Sequence, residues 1–430
     1  MVKNALEPSW EARFEGCSYG FRPGRGCHDA IAKIYGLARP HTNKKWVLDA
    51  DIKGAFDNID HNALLEAIGD IPGKELIKQW LKAGYVDKKV FHETKSGTPQ
   101  GGVISPLLAN IALHGMEEAL GVKHGWHNVI RSKRALVRYA DDFVVFCESQ
   151  EDAEAAKQIL ITWLGERGLV LAPEKTKVVH LTEGFNFLGF NVRLYKAPKT
   201  SRHGYKLLIK PSEQSVKKMR EKLRERWHQL QGSNASALTK ELNPIIRGWA
   251  NYFRIGVAKE TFRSLDDWMF HRAVRYAKRT HSNKPWKWIK VRYWGKLNPK
   301  RNDFWVFGDK TKETYLLKFS WFKIERHVLV KGNASPDDPV LQRYWQERQK
   351  AKVKDLMPNQ QRLAKDQNYV CRVCGTTLFN GEELHEHHIQ PQSKGGKHDR
   401  ENRTLVHLYC HQQIHSGKAK GSTTRELLKQ

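Results

Sequence analysis

Through about Val192 the chain alternates short apolar runs with amphipathic stretches. Trp46–Ile52, Ala135–Tyr139 and Phe143–Cys147 are rich in Val, Leu, Phe and Tyr and too short for helices, so they predict strands. Ala153–Gly165 has helical spacing. From Lys196 the pattern changes: Lys-rich sequence broken by Pro and Gly leads into three predicted helices, Glu213–Leu230, Leu238–Phe253 and Phe262–Thr280. The first opens on Ser212 ahead of Glu213, a helix-start signal. A Trp-rich basic stretch, Lys284–Val330, predicts strands near Phe304–Phe307 and Tyr315–Ile324, and Asn333–Pro339 reads as a linker. No internal repeat or low-complexity tract is present.

At 430 residues the chain exceeds one ordinary core, so two to four domains are expected. Apolar residues make up 40% and aromatics 10%, enough to fill those cores and exclude wholesale disorder. The 74 Lys and Arg outnumber 46 Asp and Glu, giving +28, which predicts a polyanionic partner. An anionic membrane is the rival reading. Because the cations are interleaved with Trp and Tyr, which stack on bases, nucleic acid is the better match. The N-terminus has no signal-like apolar core and no run approaches a membrane span, so no membrane partner is expected. Six cysteines do not make a disulfide framework. Cys371, Cys374 and Cys410 crowd into the last part of the chain, implying metal in a reducing, cytoplasmic setting; Cys17, Cys27 and Cys147 read as free thiols.

Two segments carry acidic residues at the ends of apolar strands: Asp51 to Asp57, with Phe56 between, and Arg138-Tyr139-Ala140-Asp141-Asp142-Phe143. Adjacent carboxylates are costly unless divalent cations neutralise them. Two Mg²⁺ ions held there would activate a primer 3′-hydroxyl and steady the departing pyrophosphate. Turn or capping aspartates are the plain alternative. The surrounding order decides against it: Gly20-Phe21-Arg22-Pro23-Gly24-Arg25, the Asp51 strand, Thr98-Pro99-Gln100-Gly101-Gly102, the Tyr139-Ala140-Asp141-Asp142 hairpin, Glu174-Lys175-Thr176-Lys177 and Phe187-Leu188-Gly189-Phe190. This collinear series resembles the group II intron-encoded reverse transcriptases, and Asn243 to Phe253 resembles their maturase region.

The resemblance implies that Asp51, Asp141 and Asp142 are catalytic Mg²⁺ ligands and that Phe56 stacks under the incoming sugar. Gln100 would contact the nascent pair, Lys175 the pyrophosphate, and Arg22 and Arg25 the triphosphate or template. Core, turn or surface roles remain the alternatives for each. In the maturase region Arg247 and Lys259 could meet phosphate, whereas Trp249, spaced helically from Ile245, Ile246 and Phe253, fits a core position better.

Near the C-terminus, Cys371-x₂-Cys374 pairs with His407-x₂-Cys410, matched spacings that predict a tetrahedral structural Zn²⁺ site. Between and after them run Glu386-His387-His388, Asn402 and His411 to His415, an order resembling HNH (ββα-metal) nucleases. That resemblance makes His388 the general base and His387, His411 and His415 ligands of a catalytic Mg²⁺ or Mn²⁺, with Asn402 orienting the loop or the base. His385 and Glu386 stand as alternative ligands. A zinc module that binds DNA without cutting is the other reading.

The expected fold is therefore an α/β (α+β) palm of a right-hand polymerase, an α-helical thumb/maturase domain and a small zinc-bound ββα-metal HNH domain. The expected divisions are 1–195 reverse transcriptase, 196–300 thumb/maturase, 301–360 basic DNA-binding connector and 361–430 HNH. The implied partners are intron RNA, target DNA and dNTPs, and the implied work is intron splicing and target-primed reverse transcription. The family's upstream finger blocks do not precede Gly20, so the chain is expected to be N-terminally truncated. A missing fingers segment or a second copy would then complete it; the alternative is a polymerase-inactive maturase acting as an RNA-binding splicing cofactor.

Overall fold

The structure, a computed structural model, describes residues 1–87, 90–92, 94–98, 102–125, 130–198, 203–379 and 382–415. Gln100 lies outside them. Four antiparallel strands form the first sheet in the spatial order Ala135–Tyr139, Asp142–Cys147, Trp46–Asp51, Lys177–His180. Its inner strand Phe143–Cys147 is buried along its length, which is why it reads as an unbroken apolar run, whereas Trp46–Asp51 is interrupted by the half-buried Asp49. The helix Gln150–Gly165 packs across the sheet. It starts earlier than its apolar periodicity predicts, because Ser149 caps it by accepting from Asp152 N and the polar first turn carries no hydrophobic signal.

A second sheet joins Phe185–Phe187, Phe190–Lys196 and Tyr205–Pro211. The division expected at 195 falls inside it. Helices Glu213–Gln229, Ala235–Phe253 and Lys259–Thr280 follow. The second begins at Ala235 rather than Leu238, since Asn234 caps it through Ala237 N. One apolar cluster runs from Val144 and Phe146 of the first sheet, through Phe190 and Val192, to Leu223, Leu242 and Phe262 of the helices. Palm and thumb thus share a core.

Two expectations for the connector are corrected. Tyr315–Ile324 is not a strand: pairing stops at Thr314–Tyr315 and a 3₁₀ turn covers Phe319–Trp321. Leu316 N still reaches Phe307 O (2.8 Å), but beyond it Leu317 N goes to Asn243 Oδ1 (2.8 Å) and Phe319 N and Ser320 N to Asp266 (2.6 and 3.0 Å), side chains of the thumb helices rather than a neighbouring strand. Asn333–Pro339 connects but does not float. Ser335 is buried, its carbonyl accepts from Trp345 Nε1 (2.7 Å), and Ala334 O accepts from Arg25 Nη2 (3.2 Å). A local Pro and Asn signal cannot reveal docking onto residues three hundred positions away.

The C-terminal unit has its own small core of Leu363, Leu378, Leu405 and Val406 around Cys371 and Cys410. Strands Leu384–His388 and Arg403–His407 pair antiparallel and lead into helix Leu408–His415, a ββα arrangement. Among the described residues no helix is long and apolar enough to cross a membrane.

Candidate active sites

Register builds the first site. Asp142 opens its strand directly opposite Asp51 on one side and Tyr139 on the other, leaving Ala140 and Asp141 as a two-residue turn. Ala140 sits at φ +57°, a conformation that disfavours any residue with a Cβ. Surroundings hold it there. Arg138, fully buried, donates from Nη1 to Ala140 O (3.2 Å) and Asn110 Oδ1 (3.1 Å), and Asn110 Nδ2 donates to Gly20 O (2.9 Å). A Cβ at Gly20 would fall 2.3 Å from Ala140 N, so only glycine lets this backbone brace the turn.

The clustered acids show the strain of their proximity. Burial, then the Asp51 and Asp141 carboxylates, push Asp142 up to about 6. Asp141 is raised too, by burial first. Asp49, unremarked in the sequence, is raised to about 7 by burial and by Asp142. Lys175 makes a short ion pair with Asp51 and is itself raised by that contact. All three expected aspartates therefore meet at one end of the sheet. They do not form a closed cage: among the described residues only two sets of His, Cys, Asp or Glu bring three or more ligand atoms within 4.8 Å of one another, and both lie near the C-terminus.

The expected substrate contacts fare differently. Phe56 is part-buried, with Phe21 set edge-on at 5.9 Å; Phe21 is half exposed and is the more accessible ring. Arg22 is not free for triphosphate. Its side chain is fully buried, paired to Glu11 at 2.9 Å and donating to Glu15 O (2.7 Å) and Ser18 O (3.0 Å). Arg25 is likewise turned inward, Nη2 donating to Gly332 O at 2.7 Å, and burial lowers it to about 10. The causes differ: Glu11, Glu15 and Ser18 of the preceding segment enclose Arg22, whereas the connector folds back over Arg25. Gly24 abuts Trp345, and nearby Asp29 accepts from His327 Nε2 (2.9 Å), Val330 N (2.9 Å) and Arg348 Nη2 (3.3 Å).

In the thumb, Trp249 packs against Phe253, Phe262 and Phe319, which settles it as core. Tyr252 donates from its hydroxyl to Leu188 O (2.9 Å), tying the helix to the Phe187–Phe190 turn. Arg247 is half buried and lowered by that burial; Lys259 starts its helix at the surface.

The second site has two parts. Cys371, Cys374, His407 and Cys410 converge, three of them buried. His407 Nδ1 faces Cys374 Sγ (3.4 Å) and Cys410 Sγ (3.9 Å) while Nε2 meets Thr377 O (3.1 Å). With Nε2 as the donor to that carbonyl, Nδ1 is left as the ligand. Burial opposes ionisation of Cys374, but hydrogen bonds from Thr376 outweigh it and bring the thiol down to about 7; burial and the neighbouring Cys371 push Cys410 up.

His387, His411 and His415 form the other cluster. His387 Nε2 is buried with no hydrogen-bond partner, the condition of a ring nitrogen awaiting a cation. Burial, then His411 and His415, lower His387 to about 4, which keeps it neutral as a ligand must be. His385 also stacks near His411 at 5.2 Å. His388 follows on the strand with Nε2 2.8 Å from His398 Nδ1. His398 was not foreseen, because a loop position carries no periodicity to single it out. Asn402 closes the intervening loop: it accepts from Gln390 N (2.7 Å) and donates to Gln390 O (2.9 Å) and Lys397 O (2.7 Å).

Comparison with known families agrees with this geometry in order and extent. Residues 1–192 match reverse transcriptase (RNA-dependent DNA polymerase), 216–294 the maturase-specific domain of group II introns, and 371–417 HNH endonuclease. The chain is similar to group II intron-encoded proteins. It is 33% identical over 263 residues to the group II intron-encoded protein LtrA of Lactococcus lactis subsp. cremoris, covering 47% of this chain and 43% of that one. Protein YkfC of Escherichia coli is 35% identical over 232 residues, 46% of this chain and 60% of that protein. A putative COX1/OXI3 intron 2 protein of Saccharomyces cerevisiae is 24% identical across 98% of this chain and 56% of its own length. The chain thus spans about half the length of these relatives. A reverse-transcriptase domain, a group II intron maturase-specific domain and an HNH domain occur in one chain, and the two functional clusters fall in the first and the last.

Proposed function

We propose that this chain is a group II intron-type RNA-directed DNA polymerase and splicing maturase with an HNH DNA endonuclease, working on intron RNA, target DNA and dNTPs. The observation that carries the reading is the meeting of Asp51, Asp141 and Asp142 at one end of the palm sheet, where burial and the Asp51 and Asp141 charges raise Asp142. Oxygen-only donors of this kind suit Mg²⁺. When bound, such ions lower the barrier to phosphoryl transfer. Asp51, Asp141 and Asp142 would hold them, and Lys175 occupies the place beside Asp51 from which a cation can offset pyrophosphate charge. Thiolates with one imidazole suit structural Zn²⁺ at Cys371, Cys374, His407 and Cys410. The family resemblance puts Mg²⁺ or Mn²⁺ at His387, His411 and His415, but this all-imidazole set suits a transition ion such as Zn²⁺ or Ni²⁺ better than Mg²⁺. His388 takes the proton from water as general base, its ring oriented by His398.

A second reading, a maturase that binds RNA without polymerising, is favoured by one fact: the palm carboxylates do not close to within ligand range of one another. Site-directed variants separate the two. Asp141→Asn and Asp142→Asn should each abolish primer extension on an RNA template while RNA affinity stays unchanged, and His388→Ala should stop DNA nicking alone. Undiminished extension by both aspartate variants removes the palm assignment.

A further inference from the structure

An aromatic surface at the junction of thumb and connector is used by neither active site. Trp286, Trp288, Phe304 and Trp305 expose 39, 40, 63 and 43% of their surface. Trp286 and Trp305 end a continuous run of rings: Trp286 lies 5.5 Å from Trp294, Trp294 6.0 Å from Phe270, and Phe270 5.7 Å from Trp305; Trp288 packs on His281 at 4.9 Å, and Phe304 adjoins Trp305 in the chain. Beside Trp305 opens a cavity of about 380 Å³ walled mainly by Met269, Phe270, Trp294, Phe307 and Leu316; Asp266, Asp267 and Lys318 also line it, Lys318 paired to Asp303 at 2.8 Å. Its floor is fixed in advance, because Asp266 and Asn243 hold the backbone of Leu317, Phe319 and Ser320. Pockets for small ligands run from roughly 300 to 1,000 Å³, so this one suits a single planar group.

Charge identifies the occupant. Residues 284–312 carry nine Lys or Arg against Asp303 and Asp309. Lys290 Nζ stands 4.5 Å from the Trp305 ring and Lys284 Nζ 5.7 Å from Trp288, so a cation lies beside an exposed ring at each place. A partly exposed indole is costly to keep in water, and one flanked by ammonium groups is poorly matched to an apolar protein partner. It is well matched to a strand whose phosphates meet the cations while its bases meet the rings. A duplex cannot make that contact, since its bases are already stacked inside.

We propose that this surface is a stacking site for unpaired bases of a single strand. Trp305 and Phe304 receive one base at the mouth of the cavity, Trp286 and Trp288 carry its neighbours, and Lys287, Lys290, Lys300 and Arg301 track the backbone. The proposal rests on reading the chain as a nucleic-acid enzyme but on neither catalytic site.

The test is equilibrium binding of the full chain to labelled homopolymeric oligonucleotides, as RNA and as DNA, with an abasic strand of equal length and a blunt duplex as controls. Trp305→Ala and Phe304→Ala should each weaken binding to the base-bearing strand about 5- to 100-fold, the usual worth of one stacked base. Abasic and duplex affinities should stay as they were, and Trp305→Tyr should restore much of the loss. A loss on either the RNA or the DNA arm supports the site and says which strand it serves. Equal loss on the abasic strand, or none on any strand, overturns it. A parent chain that binds no strand at all would instead sink the nucleic-acid reading beneath it. Melting of each variant checks that these exposed substitutions leave the fold intact.

Discussion

Arg22 decides between a motif read as substrate contact and a motif read as scaffold. In the structure its guanidinium is 0% exposed and Glu11 1%, with Nη2 2.9 Å from Oε2 and Nε 3.1 Å from both carboxylate oxygens. Arg22→Met keeps the volume and removes the charge, leaving a buried carboxylate and the carbonyls of Glu15 and Ser18 without their donor. Breaking one side of a buried pair costs about 3–5 kcal/mol. For a unit near 200 residues each kcal/mol moves Tm by about 2–4 °C, so the N-terminal transition should fall by about 6–20 °C in calorimetry. The pH dependence has a definite sign. Burial already holds Glu11 above the usual 4.5 despite Arg22, and losing Arg22 raises it further. A raised acid destabilises wherever both states are ionised, so the carboxylate's share of the deficit is complete above the folded pKa and fades as pH falls towards 4.5, while the share from the Glu15 and Ser18 carbonyls stays. The double variant Glu11→Leu, Arg22→Met should recover much of the loss, because an apolar pair of similar volume can replace a buried ion pair. A variant that melts like the parent but no longer extends primers would refute the scaffold role and return Arg22 to the substrate.

Gly20→Ala should cut primer extension by at least about tenfold while DNA nicking is unaffected, since its Cβ would collide with Ala140 N and tilt the aspartate turn by a fraction of an ångström or more. Normal extension by this variant would show that the turn is braced elsewhere. Cys374→Ser should lose one tightly held metal per chain, measured by elemental analysis, and expose the HNH unit to protease while the thumb melts unchanged, because structural zinc supplies folding free energy to the small core around it.

The sequence alone determined the parts whose chemistry is local or collinear. Trp46–Asp51, Ala135–Tyr139 and Phe143–Cys147 were legible as strands because each is short and rich in Val, Leu and aromatic residues, and the Tyr139-Ala140-Asp141-Asp142 turn between strands announced its own geometry. The pairs Cys371/Cys374 and His407/Cys410 were legible because ligand spacing is fixed by the turn that carries them. Helix starts at Gln150 and Ala235 were blurred, since their first turns are held by Ser149 and Asn234 rather than by apolar contact.

Only the tertiary structure decided what the long-range contacts do. Arg22 and Arg25 look like anion binders in sequence, but the side chain that meets Arg22 and the carbonyls that meet Arg25 come from Glu11, Gly332 and Ala334. Tyr315–Ile324 has strand composition, yet Asn243 and Asp266 take its backbone donors. His398 reaches His388 only because Asn402 folds the loop between them. For the arginines and the connector the deciding contact is a buried or part-buried hydrogen bond or ion pair, for His398 an exposed one across a loop, and no local pattern of side chains encodes which partner closes it.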